Sequence, residues 1–264
     1  MPPSTALRNN TSIFVNKENS IFVNKDESAM TVDTTKSTEL ATVNGASGQL
    51  EVNFEKNVTV LYDSISNSNW DVALHTLKHN PEEARTWVVR YHENENNGIM
   101  WRFLPLHSAC ARQPPFAVVS GLLRAFPDAA NCCDDQGMYP LHYACGNHAS
   151  ADVIRALVGA NSTAARMGDP NGMIPMHYMS QWGPSSLGAI EALIVASPGV
   201  KDLQDSQGFT PLEYAVDGDY PERDQMVAAL ESDGQTVGMD DDGASQTNNS
   251  VYDNQQQEQE QEPQ

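Results

Sequence analysis

The sequence predicts an all-α solenoid, in which stacked helix pairs are joined by short β-turn fingers. One pattern, Pro-Leu-His or a close variant, occurs four times and carries this prediction. The copies are separated by 35, 35 and 36 residues and start at Pro105, Pro140, Pro175 and Pro211. Self-similarity at such a period indicates units that bury their apolar faces only against their neighbours.

Other features repeat with the same period. About a dozen residues after each of the first three prolines, apolar residues follow a helical spacing, which predicts a second helix in each unit. An Asp-x-x-Gly sequence precedes three of the prolines, and we expect it to form a turn in which Gly takes a positive φ. These pairs are Asp134 with Gly137, Asp169 with Gly172, and Asp205 with Gly208.

Over roughly residues 101–230, these units resemble ankyrin repeats, whose pattern is a tight turn, a short helix opening Thr-Pro-Leu-His, a loop and a second helix. The period here is 35 rather than 33. The family's Thr is replaced by Leu104, Tyr139 and Ile174 in the first three units. The fourth unit has Thr210 but carries Glu213 in place of His. The resemblance therefore implies a divergent, ankyrin-like solenoid.

Composition changes divide the chain into three parts. Residues 1–57 are polar and are expected to be a disordered tail. Residues 58–230 are the expected repeat domain, with a helical cap at 58–86 that has Asn69 as an N-cap, a β-hairpin at 87–103 around Asn97-Gly98, and repeats at 104–230. Residues 231–264 are acidic and rich in Gln and Asn, so we expect a second disordered tail.

The N-terminal tail contains a duplicated octapeptide, with closely similar copies at residues 12–19 and 20–27. Ile-Phe-Val followed by Asn-Lys is typical of a short strand or a linear docking motif. Replication slippage in an unconstrained tail also explains the duplication, and we favour it over a binding motif.

A net charge of −20 argues against nucleic acid or an anionic membrane surface as a partner. No apolar run reaches the ~20 residues that cross a bilayer, and no secretory signal is visible. The repeat accounts for the positions of the four cysteines, which suits a reducing compartment. We therefore expect a monomeric cytoplasmic protein that could also enter the nucleus.

Two groups of side chains are candidate sites of chemistry. His-x-x-Cys occurs at His107/Cys110 and His142/Cys145 and could supply metal ligands, but we favour histidines that bridge neighbouring loops. For the adjacent thiols of Cys132 and Cys133, we favour a structural role over redox chemistry. No phosphate loop, zinc-protease motif or nucleophile elbow is present, so we expect no enzyme activity and no cofactor.

The resemblance implies a non-catalytic scaffold or adaptor that binds a protein on its concave face, and the acidic surface favours a basic partner. Family contacts come from the finger tips and the exposed ends of the first helices. For Met138 and Met173, packing between fingers is an equal alternative. A regulatory subunit of an enzyme or transcription complex, or binding through the tails, remains an alternative function. The predicted contact residues are Arg112, Asp135, Gln136, Met138, Asn147, Asn171, Met173, Gln181, Trp182, Ser206, Gln207 and Phe209.

Overall fold

The computed structural model describes residues 42–43, 50–92 and 98–232. The duplicated octapeptide, the turn residue Asn97 and nearly all of the acidic C-terminal segment lie outside the described residues. The disorder expected for both tails is therefore still a prediction, except near the boundary at residue 57, where residues 50–57 are described.

Eleven helices are found in the described part of the chain, and most of them alternate between two layers. The helices are α1 (Phe54–Asn57), α2 (Val60–Ser66), α3 (Trp70–His79), α4 (Pro105–Cys110), α5 (Phe116–Ala125), α6 (Pro140–Gly146), α7 (Ala151–Ala160), α8 (Pro175–Trp182), α9 (Leu187–Ala196), α10 (Pro211–Asp217) and α11 (Arg223–Glu231). Short 3₁₀ turns occupy Pro81–Arg85, Pro127–Asn131, Ser162–Arg166 and Val200–Asp202.

The first helix of each pair packs on the first helix of the next pair, in the order α2, α4, α6, α8, α10. The second helices form the other layer, in the order α3, α5, α7, α9, α11. Each pair therefore buries its apolar side chains mainly against its neighbours, as expected for a solenoid. This arrangement confirms the predicted fold class, a helical repeat with short β elements.

The helix boundaries follow local chemistry. The side chain of Asn69 accepts a hydrogen bond from the backbone of Val72 at 3.5 Å, so it caps α3 at the predicted residue. The hydroxyl of Thr59 caps α2 through the backbone of Tyr62 at 3.2 Å. The first helices α4, α6, α8 and α10 each begin at the repeated proline, whose missing N–H would have had no partner within the helix.

A four-stranded sheet precedes the first repeat. Strands β1 (Thr42–Val43), β2 (Leu50–Asn53), β3 (Trp87–Tyr91) and β4 (Ile99–Phe103) lie side by side in that order. Strands β3 and β4 are antiparallel and coincide with the two β-forming runs of the expected hairpin. Strand β2 pairs with β3 in parallel, and β1 pairs with β2 antiparallel.

The expected boundary of the N-terminal tail at residue 57 is wrong for residues 50–57, which form β2 and α1. A four-residue strand with a single fully apolar buried side chain, Val52, is too short to produce a periodic signal. Its partner, β3, lies 36 residues further along the chain. The segment is a strand because it pairs with this distant strand and with β1.

Aromatic side chains join the sheet to the helical cap. The ring of Phe54 meets the ring of Trp101 at 5.1 Å and the ring of Tyr62 at 6.3 Å. The guanidinium of Arg102 stacks over Trp87 at 4.1 Å and lies 3.7 Å from the buried carboxylate of Glu51. The sheet and the cap therefore share one apolar core with the first repeat.

Candidate protein-binding surface

Each Asp-x-x-Gly sequence forms a closed turn, called a finger below. In the first of these, Oδ1 of Asp134 accepts hydrogen bonds from the backbone N–H groups of Gln136 (2.8 Å) and Met138 (2.9 Å). The backbone of Asp134 donates to Met138 and accepts from Gly137, at 3.0 and 3.2 Å. The sequence thus encodes a rigid loop whose tip is held by its own backbone and one carboxylate.

The same turn recurs in the next two units. Asp169 binds the backbone of Asn171 and Met173, and Asp205 binds the backbone of Gln207 and Phe209, all at 2.8–3.0 Å. The turn glycines have the predicted positive φ. The values are 75° for Gly137, 75° for Gly172 and 89° for Gly208.

A tyrosine anchors each finger to its own first helix. The hydroxyl of Tyr143 donates to Oδ2 of Asp134 at 2.6 Å. The equivalent bonds join Tyr178 to Asp169 at 2.8 Å and Tyr214 to Asp205 at 2.6 Å. This role was not predicted from the sequence. The signal was present, because each of these tyrosines follows its unit's proline by three residues and its Asp by nine.

Burial and the tyrosine bond act in opposite directions on Asp134. Burial raises the pKa of the carboxyl above its ordinary value, while the hydroxyl of Tyr143 and two backbone N–H groups lower it. The same contact and burial raise the pKa of Tyr143 well above its usual range. At neutral pH the tyrosine is therefore the donor and the carboxylate the acceptor.

Two of the three repeated histidines, His107 and His177, bridge consecutive units through hydrogen bonds, as favoured from the sequence. Nδ1 of His107 accepts from the backbone of Leu104 at 3.3 Å, and its Nε2 lies 3.1 Å from the carbonyl oxygen of Cys132 in the next unit. His177 makes the same two contacts with Ile174 at 3.1 Å and Phe209 at 2.9 Å. The residue before proline, which is threonine in the family, therefore donates a hydrogen bond to the histidine through its backbone N–H.

Burial lowers the pKa of these imidazoles, to about 3 for His107 and about 4 for His142. Each histidine ring also meets the anchoring tyrosine of the following unit edge-on, at 6.1 Å for His107 with Tyr143. The imidazoles are neutral parts of the inter-unit contact. Within residues 50–92 and 98–232, no three His, Cys, Asp or Glu side chains are grouped so that they could hold a metal.

The cysteines fill structural positions. Cys110 and Cys145 are buried in the first helices, and burial raises the pKa of Cys110 above its ordinary range. Burial and the charge of Asp128 raise the pKa of Cys132. None of the four cysteines is in a disulfide. A raised pKa disfavours the thiolate, so Cys132 lacks the activation that redox cysteines need.

Direct contacts connect the fingers into one edge. The backbone N–H of Arg102 in β4 donates to Oδ1 of Asp135 at 2.9 Å, which links the sheet to the first finger. A methyl group added at Gly137 would lie 3.3 Å from Pro170, so the second finger packs directly on the first. The backbone of Ser206 donates to the carbonyl of Asn171 at 2.8 Å and connects the third finger.

Most of the predicted finger contacts lie at the tips. Asp135, Asn171, Ser206 and Gln207 are exposed, and Gln136 is half-buried. We call these five residues the finger row. Their side chains are short or amide-bearing and stand on turns that the buried aspartates fix. Asp135 is less available to a partner than the other four, because one oxygen of its carboxylate accepts the hydrogen bond from β4.

The predicted exposure of Met138 is wrong. Its side chain is 1% exposed, and its sulfur accepts a weak hydrogen bond from the hydroxyl of Tyr178 at 3.7 Å. The alternative of packing between fingers is correct for this residue, because a soft thioether fills the space beside the next unit's tyrosine. Met173 and Phe209 are half-buried and keep some exposed apolar surface.

The residues predicted at the helix ends are less available than expected. Arg112 is half-buried, and its guanidinium donates to the carbonyls of Ser66 (3.1 Å) and Ser108 (2.9 Å), which ties α4 to the cap. The amide of Asn147 donates to the carbonyl of Tyr143 at 2.8 Å and closes α6. Gln181 and Trp182 are half-buried at the end of α8.

Comparison with known proteins gives a family for the central repeats. Residues 106–202 match a family model described as ankyrin repeats, in three copies. No curated protein matches the chain. Within the described residues, no helix is long and apolar enough to cross a membrane. Ankyrin repeats suggest a protein–protein interaction module. The matched segment, the two helix layers and the repeated fingers together identify residues 106–202 as ankyrin repeats.

Proposed function

We propose that the chain is a non-catalytic scaffold or adaptor that binds a protein partner along its finger row. This face, formed by the fingers and the first helices, is the concave face in the ankyrin family. The observation that carries the proposal is the continuity of the row. The packing of Pro170 on Gly137 and the bond from Ser206 to Asn171 hold the three fingers in one fixed register.

Rigidity matters because binding costs less when the contacting groups are already ordered. Each finger is held by two side-chain-to-backbone bonds and one tyrosine anchor, so its tip loses little freedom on binding. The exposed side chains at the tips are amides, a hydroxyl and a carboxylate, which can form hydrogen bonds with a partner. They stand on an open edge and not in a closed pocket of the kind that binds small molecules. This composition supports recognition of a folded protein surface.

The charge of the row supports a basic partner. Asp135 is exposed at the tip, and the buried aspartates Asp134, Asp169 and Asp205 lie at the bases of the three fingers. A surface of one sign steers partners of the opposite sign and raises the rate of association. Four free thiols support a reducing compartment, in which we expect the chain to act as a monomer in the cytoplasm or nucleus.

The experiment is affinity capture with the full chain, quantified by mass spectrometry. The test variant is Asn171→Arg with Gln207→Arg, which adds two positive charges at exposed tips. The control variant is Ser162→Arg with Gln225→Arg, which adds the same charge at exposed positions that follow or lie on second helices. Both must have the unfolding temperature of the natural chain.

We expect a partner that the control variant retains and that the finger variant loses by at least about tenfold in affinity. Equal retention by both variants would place binding in the tails or on the second-helix face and would contradict the proposal. Turnover of a substrate by the purified chain would contradict the non-catalytic assignment.

A further inference from the structure

The fourth unit exposes positions that the other three units bury. Val216 follows its unit's proline by five residues and is 52% exposed. The equivalent residues Cys110, Cys145 and Ser180 are at most 1% exposed. Helix α10, which contains Val216, packs on α8 and α11, and it is the last first-layer helix among the described residues. Among the described residues, nothing therefore covers the side of α10 on which a fifth unit would stack.

A second apolar position on α10 shows the same change. Leu212 follows the proline directly and is half-buried. The equivalent residues Leu106, Leu141 and Met176 are at most 2% exposed. Leu212 and Val216 are four residues apart on one helix, so their side chains lie on the same face. Together they form a small apolar stripe.

The side chain between these two positions is acidic. In the first three units, a histidine reaches or faces the next unit. Glu213 occupies this position and turns back, so that its Oε2 accepts hydrogen bonds from the backbone (2.7 Å) and hydroxyl (2.9 Å) of Thr210. Its carboxylate is exposed, and so is that of Asp217 at the end of α10. We call Leu212, Glu213, Val216 and Asp217 the end face.

The charge of the array is concentrated at this end. Residues 168–232 contain ten acidic and two basic side chains, whereas residues 104–167 contain four of each. The negative field is therefore centred on the last two units, where the apolar stripe is uncovered. Apolar surface bordered by charge of one sign is typical of an interface for a partner with the opposite sign.

We propose that the end face docks a basic, amphipathic segment of a partner protein, with apolar side chains on Leu212 and Val216 and Lys or Arg beside Glu213 and Asp217. The chain's own C-terminal segment does not fit, because residues 233–264 contain no Lys or Arg and would be repelled. The same repulsion acts against a second copy meeting this face with its own end face. This site is separate from the finger row and does not depend on it.

The test uses the full chain and two short fluorescent peptides. One has Leu and Lys at amphipathic helical spacing, and the other has Glu in place of Lys. Fluorescence anisotropy gives the affinity, and hydrogen exchange locates the bound peptide. The test variant is Val216→Ser with Asp217→Asn. The control is Val195→Ser with Glu191→Gln, which removes an exposed valine and an exposed acid from α9 in the same half of the array.

We expect the Leu/Lys peptide to bind, to protect α10 from exchange, and to lose at least about tenfold in affinity in the test variant but not in the control. The variant Asp217→Lys should shift preference toward the Leu/Glu peptide. Equal weakening in both double variants, or no preference for Lys over Glu, would overturn the proposal. Dimerisation that Val216→Ser abolishes would also overturn it, because a second copy would then be the occupant.

Discussion

The hydroxyl of Tyr143 donates a 2.6 Å hydrogen bond to the buried carboxylate of Asp134, and the other oxygen of that carboxylate closes the finger. One side chain thus connects the first helix of a unit to the turn that displays its tip. The bond recurs in the two following units, so the position of the finger row depends on three Asp–Tyr pairs.

The variant Tyr143→Phe should lower the free energy of unfolding by about 1–3 kcal/mol, because it removes a charge-assisted bond and leaves Oδ2 of Asp134 buried without it. Tyr139→Phe is the matched control, since no described residue bonds the hydroxyl of Tyr139, and it should change stability by less than about 0.5 kcal/mol. Chemical denaturation measures both. Equal losses of unfolding free energy in the two variants would show that the hydrogen bond between Tyr143 and Asp134 does not stabilise the fold.

Alanine substitutions at two glycines distinguish the cost of backbone strain from the cost of steric overlap. At Gly208 an added Cβ would meet nothing within 4 Å, so Gly208→Ala should cost only about 1–2 kcal/mol for its φ of 89°. At Gly172 the Cβ would lie 2.9 Å from the backbone nitrogen of Ser206, so Gly172→Ala should cost more and displace the neighbouring finger. Thermal unfolding compares the two variants. A smaller loss at Gly172 would contradict the finger packing.

The histidine of the third unit and the glutamate of the fourth should respond differently to truncation. His177→Ala should cost about 2–4 kcal/mol, because it leaves the backbone N–H of Ile174 without an acceptor, removes one of the two hydrogen bonds to the carbonyl of Phe209 and opens a cavity between units. Glu213→Ala removes only an exposed capping interaction and should cost about 1 kcal/mol or less. Denaturant titrations give both values. Similar losses would indicate that the histidine does not bridge the units.

Stability should fall as pH drops below about 6.5. The unfolded chain binds a proton on each histidine near that pH, whereas folded His107 and His142 bind one only near pH 3 and 4. Each of the two should therefore remove about 2 kcal/mol from the free energy of unfolding between pH 7 and 5. Asp134 acts in the opposite direction, since its folded pKa is raised.

Denaturant titrations at pH 7 and pH 5 measure this loss, and nuclear magnetic resonance follows the imidazole signals. Titration of His107 or His142 near pH 6.5 in the folded chain would contradict the burial of these two imidazoles.

The sequence predicted the repeats because their signals are local. Each proline, glycine and apolar helical stripe acts within about ten residues, so periodicity located α4–α11 and the fingers. The sheet was predicted only in part, since β2 and β3 pair across 36 residues and four residues give no period. The availability of site residues also depends on neighbours. Met138 is covered by Tyr178 of the next unit, and Arg112 is bound by Ser66 of the cap.

The central claim is that the finger row contacts a protein partner, and site-specific photo-crosslinking tests it most directly. A photoreactive residue placed at Gln207 or Asn171 should form a covalent adduct with the captured partner. The same residue placed at Glu191 or Val195 on the second-helix layer should form none. Adducts from α9 and none from the fingers would contradict the account.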